Sequence, residues 1–234
     1  MKNLLAIEAS GSVCGVALSY QGVIQALSSD APRAHTASVF SFIDQLLKEA
    51  NITVQQLDGI VFSAGPGSFT GIRLAASVAK SLAYAAQLPV MGISSLAAMA
   101  YTFYQQGGVG TCLVVSDARM EEYYAAEYQQ DSTLGVKALR GDSLYTVAQL
   151  AQLSHQSAQI VTDGSHFAAL AFEELPHFPV VANAQSLLHL ANGQWQLQAP
   201  TADSALTEQV NYLRDKTGWK NLAQQQRNPV VGDK

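Results

Sequence analysis

A glycine-rich stretch at residues 65–73 constrains this chain more than any other part of its sequence. It reads Gly-Pro-Gly-Ser-Phe-Thr-Gly-Ile-Arg and joins an apolar run at residues 58–64 to an alanine-rich run at residues 72–86. The first run predicts a buried strand and the second a helix. Gly65 and Gly67 can adopt positive φ on either side of Pro66, so the chain can reverse tightly at this junction.

The junction is also a candidate anion site, because the free N–H groups and the positive dipole end of a helix both lie at its N-terminus. Neither common phosphate-binding spacing is present. The Walker loop requires Lys after its last glycine, where this chain has Ile72, and Gly71 comes one residue too late for GxGxxG. Ser68 and Thr70 are both candidates for the N-cap. The stretch is therefore either a structural turn or a site for a ligand or partner.

Charge and hydrophobicity exclude several classes of protein. Of the 234 residues, 48% are hydrophobic and only 13% are charged, with a formal net charge of -5. Such a surface is unsuited to holding nucleic acid by its own basic residues, so any RNA contact would need a partner. Cys14 and Cys112 lie in apolar stretches, which predicts buried free thiols. No apolar run approaches the roughly 18 residues of a membrane span, and we expect a soluble cytoplasmic protein.

Apolar runs and helical spacings predict the elements of the first half. Three antiparallel strands open the chain, at residues 4–7, 13–20 and 23–27. A helix up to Ala50 follows, with apolar residues at helical spacing. These residues are Val39, Phe40, Phe42, Ile43, Leu46 and Leu47. The strand and helix of the glycine-rich junction come next, then a strand at residues 88–93 and a helix that Ser94 or Ser95 caps.

A second, weaker copy of this order begins at Thr111. The predicted elements are strands at residues 113–116 and 123–128, a helix at 145–153, a strand at 160–163 and a helix at 184–192. Strands in a hairpin followed by alternating helices and strands resemble the unit of the actin-like, or ASKHA, superfamily. We therefore predict an α/β fold of two lobes, each with a mixed sheet and flanking helices.

The predicted lobe boundaries follow from this duplication. The first lobe is predicted at residues 1–106 and a degenerate second lobe at residues 107–220, whose C-terminal segment can pack back on the first. Residues 221–234 have no periodic apolar face and are predicted to form a flexible tail.

Four sequence blocks, in the same order over residues 32–220, resemble the TsaB/YeaZ family, bacterial relatives of TsaD. The blocks are Pro32-Arg33-Ala34-His35-Thr36, the stretch at 65–73, Asp117-Ala118-Arg119-Met120 with Glu122-Tyr123, and Tyr212-Leu213-Arg214 with Trp219-Lys220. The resemblance implies a signature loop at the junction. Its residues are Gly65, Pro66, Gly67, Ser68, Phe69, Thr70, Gly71 and Arg73.

The resemblance also implies a function, that of a non-catalytic subunit in tRNA modification. Such a subunit supports transfer of the threonylcarbamoyl group to the adenosine beside the anticodon, by binding and activating TsaD together with the ATPase TsaE. It would form a heterodimer with TsaD, a homodimer when alone, and contact tRNA only through the complex. The alternative is an ASKHA-fold phosphotransferase or ATPase, or a glycoprotease-like peptidase.

The turn after the first strand resembles a degenerate phosphate loop, formed by Glu8, Ser10 and Gly11. Actin-like ATPases carry an Asp-x-Gly-Thr loop here, and the longer Glu8 side chain would displace a metal-bound water. The residues also suit a plain hairpin bend. Thr162-Asp163-Gly164-Ser165 is a candidate second phosphate loop, or a capped turn. We expect no nucleotide cofactor of the chain's own, with ATP or ADP only at a joint interface with partners.

The sequence lacks the usual spacings of residues that bind a metal or act as a nucleophile. The catalytic relatives bind metal through two histidines four positions apart, but Val39 stands four positions after His35. His35 therefore suits a hydrogen-bonding role at the start of the helix, and no metal is expected. The candidate nucleophiles are Ser63, Ser68 and Thr70, and none of them lies in a GxSxG elbow. Arg73 and Arg119 can each bind a phosphate or carboxylate, or order their loops through local ion pairs.

Two apolar helix faces predict where a partner binds. The first helix has an apolar arc of roughly 160° and the second about 200°, against the ~100° needed to cover one sheet. We predict that the excess docks on TsaD or on a second copy, unless other parts of the chain bury it. The predicted interface residues are His35, Val39, Phe40, Phe42, Ile43, Leu74 and Val78.

Overall fold

Two five-stranded mixed sheets form the framework of the chain, in a computed structural model that describes residues 1–30, 35–154, 159–164 and 176–214. The first sheet has the order β3-β2-β1-β4-β5. Its strands are β1 (Leu4–Glu8), β2 (Cys14–Tyr20), β3 (Val23–Ser29), β4 (Gly59–Gly65) and β5 (Val90–Ser94). β1, β2 and β3 form an antiparallel meander, and β4 and β5 run parallel to β1.

The second sheet repeats this connectivity strand for strand. Its order is β10-β9-β6-β7-β8, with an antiparallel meander of β6, β7 and β8 and with β9 and β10 parallel to β6. The strands are β6 (Thr111–Asp117), β7 (Glu122–Asp131), β8 (Gly135–Thr146), β9 (Gln159–Thr162) and β10 (His177–Pro179). The repeated order confirms the predicted actin-like α/β architecture.

Six α-helices are found within the described residues. They are α1 (His35–Glu49), α2 (Phe69–Ala86), α3 (Ser95–Gln105), α4 (Val147–Ser154), α5 (Ala184–Leu197) and α6 (Ser204–Thr207). α1 and α2 pack on the first sheet, and α4 packs on β7 and β8. None of the helices described here is long and apolar enough to cross a lipid bilayer.

Two helices lie between the sheets, and each packs on the sheet that it does not directly follow in sequence. α3 follows the first sheet in sequence but contacts β6, β7 and β8, whereas α5 follows the second sheet and contacts β1 and β2. Phe103 on α3 and Trp195 on α5 belong to one buried cluster that also contains residues of both sheets. A single apolar core therefore crosses the predicted boundary near residue 106, and that boundary itself stays a prediction.

The helix predicted at residues 145–153 was wrong at its start, and the strand before it was missed. Tyr145 lies in β8, and α4 begins at Val147. Among the described residues, β8 pairs with β7 alone and is an edge strand of the sheet. All but one of its residues are exposed or half-buried, so the sequence shows no alternation of apolar and polar side chains to indicate a strand. The predicted tail at residues 221–234 lies outside the described residues.

Candidate functional site

The signature loop ends β4 and begins α2 through a cap at Ser68. The Oγ atom of Ser68 accepts a hydrogen bond from the backbone N–H of Gly71 at 3.3 Å. The peptide bond between Gly65 and Pro66 is cis. Of the two candidates, Ser68 is therefore the N-cap, and Thr70 lies within the first turn of the helix.

Because only Ser68 caps α2, the two hydroxyl residues should respond differently to truncation. We expect Ser68→Ala to lower the free energy of unfolding by about 1 kcal/mol, through loss of the cap hydrogen bond. The matched change Thr70→Ala, at an exposed position, should alter it by less than about 0.5 kcal/mol. Urea denaturation of the three proteins measures both effects, and equal losses would contradict the assignment.

Backbone carbonyls of the β1–β2 loop lie directly against the start of α2. A Cβ atom added at Gly71 would be 1.8 Å from the carbonyl oxygen of Ala9, and one added at Gly67 would be 2.4 Å from that of Ser10. The backbone N–H of Ser68 donates to the same Ser10 oxygen at 2.8 Å. The positive end of the helix dipole is thus met by carbonyl oxygens of the chain itself. This geometry favours the structural-turn alternative.

Glu8, in the candidate phosphate loop, is fully buried and folds back onto its own loop. Its Oε1 atom accepts hydrogen bonds from the backbone N–H of Ser10 at 2.6 Å and from the Ser10 hydroxyl at 2.5 Å. Burial raises the pKa of the Glu8 carboxyl from its ordinary 4.5 to about 7. The carboxyl therefore serves to close the loop and has no free face toward solvent.

Ser63, the candidate nucleophile closest to Glu8, is also fully buried. Its Oγ atom accepts a hydrogen bond from the backbone N–H of Ala9 at 3.3 Å. A nucleophilic hydroxyl must be reachable by substrate. The position of Ser63 therefore gives no support to the peptidase alternative.

In the structure, the candidate second phosphate loop at residues 162–165 does not occupy the position that corresponds to the first candidate phosphate loop. Thr162 ends β9, and because β9 corresponds to β4, this turn corresponds to the signature loop. The counterpart of the β1–β2 loop is the β6–β7 turn, at residues 117–122. Asp163 links its turn to the end of β6 and the start of the β6–β7 turn, since its Oδ2 atom accepts from the Ser116 hydroxyl at 2.5 Å and from the backbone N–H of Asp117 at 3.4 Å. Ser165 lies outside the described residues.

The β6–β7 turn has an unusual left-handed backbone. Arg119, Met120 and Glu121 have φ of 66°, 57° and 60° in succession. Three consecutive non-glycine residues of this kind are costly and need support from their surroundings. Part of that support is an ion pair between Arg119 and Asp117 at 3.1 Å. Arg119 thus forms the local ion pair that was one of its two predicted roles.

Arg73 of the signature loop contacts a pair of aromatic side chains. Its guanidinium group lies 3.6 Å from the centre of the Phe69 ring, and its Nε donates to the hydroxyl of Tyr212 at 2.8 Å. The Phe69 and Tyr212 rings lie 5.8 Å apart. Tyr212 belongs to the fourth block of the family resemblance, but nothing in its local sequence predicts this contact.

Three of the predicted interface residues are buried within the chain itself. Val39, Ile43 and Val78 are at most 6% exposed and belong to the cluster between the first sheet and its helices. The predicted arcs were compared with the needs of one sheet, but Ala205 and Val210 from the C-terminal part also join this cluster. These three side chains are therefore not available to a partner, which corrects this part of the predicted interface.

The other predicted interface residues are more accessible. Phe40 is 54% exposed, and Phe42 and Leu74 are half-buried. Tyr84, which was not predicted, is 68% exposed on α2. His35 begins α1, but its side chain lies outside what the structure describes.

Metal ligands do not converge in the part of the chain that the structure describes. Within residues 1–30, 35–154, 159–164 and 176–214, no group of three or more His, Cys, Asp or Glu side chains could hold a metal ion. Cys14 and Cys112 are buried and form no disulfide, as the sequence predicts.

Comparisons with known proteins agree with the fold. The profile of the TsaD family, described as tRNA N6-adenosine threonylcarbamoyltransferase, matches residues 17–225. The "tRNA threonylcarbamoyladenosine biosynthesis protein TsaB" of Haemophilus influenzae is 32% identical over 94% of this chain and 96% of its own, and that of Escherichia coli is 29% identical over 94% and 97%.

Solved structures give the same result. A crystal structure from Pseudomonas aeruginosa, of an uncharacterized protein with similarity to peptidase YeaZ, has a TM-score of 0.79 at 28% identity and covers 92% of this chain and all of its own. A structure described as YeaZ from Pseudomonas aeruginosa has a TM-score of 0.75 at 28% identity, with 91% and 100% covered. The fold, the extent of the match and the level of identity together show that this chain belongs to the TsaB/YeaZ family.

Proposed function

We propose that this chain is a non-catalytic subunit in the biosynthesis of threonylcarbamoyladenosine in tRNA, acting in the cytoplasm. It binds and activates a TsaD-type transferase together with TsaE, and it meets tRNA only through that complex. It has no nucleotide cofactor of its own, and ATP or ADP would bind only at an interface shared with its partners. The named relatives and the family profile support the pathway.

The observation that carries the non-catalytic role is the closed first phosphate loop. The Ser10 carbonyl accepts from the signature loop, and the buried Glu8 carboxyl binds Ser10. A triphosphate needs N–H groups of such a loop directed at it and an ionised acid to position the metal. Here the backbone N–H groups of Ala9 and Ser10 and the Oε1 atom of Glu8 are committed to contacts within the chain.

Depletion of the protein tests the proposed pathway. We expect the threonylcarbamoyladenosine content of bulk tRNA, measured by mass spectrometry, to fall when the protein is removed from cells. Reconstitution then tests the role, since the chain with TsaD and TsaE should restore modification that the chain alone does not perform. Unchanged tRNA modification on depletion would refute the proposed function.

The exposed aromatic residues of α1 and α2 are the proposed docking surface for TsaD. Phe40 on α1 and Tyr84 on α2 are large side chains more than half exposed on two helices that pack on the first sheet, and the partly buried Phe42 and Leu74 lie on the same helices. Aromatic residues of this kind dominate the energy of protein interfaces. A TsaD-type protein is the proposed occupant, since its family profile matches this chain and it should present comparable helices. Without it, a second copy would use the same surface.

Charge placed on this surface should prevent binding without unfolding the chain. We expect Phe40→Glu with Tyr84→Glu to weaken binding to TsaD by at least about 30-fold, since loss of an interface hot spot costs 2 kcal/mol or more. The control is Leu139→Glu on β8, an exposed apolar residue of the other lobe. Calorimetric titration measures both, and equal affinities would place the interface elsewhere.

A further inference from the structure

The segment at residues 203–214, here called the strap, begins on the first lobe. The hydroxyl of Ser204 accepts from the backbone N–H of Val90 at 2.7 Å. Farther along, Glu208 accepts from the backbone N–H of Gly92 at 3.2 Å through its side chain, and its carbonyl accepts from Lys80. The strap is thereby fixed to β5 and α2.

The strap then crosses from the first lobe to the second. The backbone N–H of Asn211 donates to the carbonyl of Ala64 at the end of β4, at 2.7 Å. The side-chain Nδ2 of the same residue donates to Oδ2 of Asp142 on β8, at 3.0 Å. Asn211 thus bonds to both sheets at once.

The far end of the strap supports the left-handed β6–β7 turn. Arg214 donates to the carbonyl of Arg119 at 2.9 Å and forms an ion pair with Glu122 at 2.5 Å. Its Nη1 also lies 3.0 Å from the sulfur of Met120. These contacts oppose the cost of the positive φ angles in that turn.

The path of the strap follows the edge at which folds of this kind bind ligands. In open α/β sheets, ligands bind outside the carboxyl ends of parallel strands. Ala64 lies at the carboxyl end of β4, Gly92 lies in the middle of the neighbouring β5, and the β6–β7 turn follows the carboxyl end of β6. A Cβ atom at Gly92 would be 2.9 Å from the Glu208 carboxyl, so the fit is close.

We propose that the strap is a clasp that fills the crevice between the two lobes against ligands and, together with the core shared through α3 and α5, holds the lobes at a fixed angle. Asn211 and Arg214 form the contacts of the strap with the second lobe, and α6 fixes the strap to the first lobe. The inference does not depend on the proposed function, because it concerns only contacts within the chain.

Release of the second-lobe contacts tests the clasp. The double variant Asn211→Ala/Arg214→Gln removes them and leaves α6 in place. Nitroxide labels at Val23→Cys and Leu139→Cys, both exposed, report the distance between the sheets, since the native Cys14 and Cys112 are buried. We expect a narrow distance distribution with the native strap and at least a twofold broader one in the variant. The control Gln209→Ala, at an exposed strap position, should keep it narrow. An equally narrow distribution in the double variant would overturn the proposal.

Hydrogen exchange of the unaltered protein gives an independent test if the double variant fails to fold. The backbone N–H groups of Val90 and Gly92 donate to side chains of the strap, and that of Asn211, within the strap, donates to the carbonyl of Ala64. A clasp should release them together, so we expect protection factors within about threefold of each other. Mg-ATP, added as the probe, should change none of them. Independent exchange, or protection by Mg-ATP with the strap still in place, would overturn the clasp.

Discussion

Gly71→Ala should destabilise the protein by about 3 kcal/mol or more, although a helical Gly→Ala change normally stabilises by up to about 1 kcal/mol. The added Cβ would lie 1.8 Å from the Ala9 carbonyl oxygen, so the β1–β2 loop must move away from α2. That movement breaks the contact between Ser68 and Ser10. For a chain of this size, the melting temperature should fall by roughly 6–12 °C.

The matched control for this change is Gly11→Ala, in the loop that Gly71 contacts. No atom lies within 4 Å of a Cβ at Gly11, and its φ is not among the positive ones. We expect Gly11→Ala to change the free energy of unfolding by less than about 1 kcal/mol, and to stabilise if anything. Urea denaturation compares the variants. If Gly71→Ala were as stable as Gly11→Ala, the close packing of the two loops would be refuted.

Glu8→Gln should remove a pH dependence of stability worth about 3 kcal/mol. Burial raises the pKa of Glu8 from 4.5 to about 7 in the folded chain. A raised pKa means that the contribution of Glu8 to stability is fully present below pH 4.5 and is lost as the pH rises through 7. The difference of about 2.5 pKa units corresponds to the stated energy at 1.36 kcal/mol per unit.

The measurement is the free energy of unfolding at pH 5 and at pH 8. Gln cannot ionise but can still accept from Ser10, so the variant should gain stability relative to the native chain as the pH rises. Subtracting the two proteins cancels the titration of the other groups. Glu49→Gln, at an exposed position on α1, is the control and should leave the pH dependence unchanged. Parallel curves for native protein and Glu8→Gln would show that the carboxyl ionises freely.

The sequence by itself determined the elements whose signal is local. The apolar runs of β1, β2 and β4 and the helical spacing of α1 predicted their type, because each pattern is complete within a few turns or residues. The order of these elements then predicted the actin-like fold. The glycines at 65–73 marked the tight junction, and the four short blocks indicated the family.

Only the tertiary structure decided what the same residues contact. Nothing local to Gly71 indicates the Ala9 carbonyl, and nothing near Asn211 indicates Ala64 or Asp142, since these partners are distant in sequence. Helical projection likewise gave the width of the apolar face that includes Val78, but not the chain segments that cover it.

The edge strand β8 was missed for the opposite reason, because an exposed edge imposes no alternating pattern on its residues. Local chemistry therefore specified the elements and their order. Long-range packing decided which faces became core, where the loops closed and how α3 and α5 joined the two lobes through one shared core.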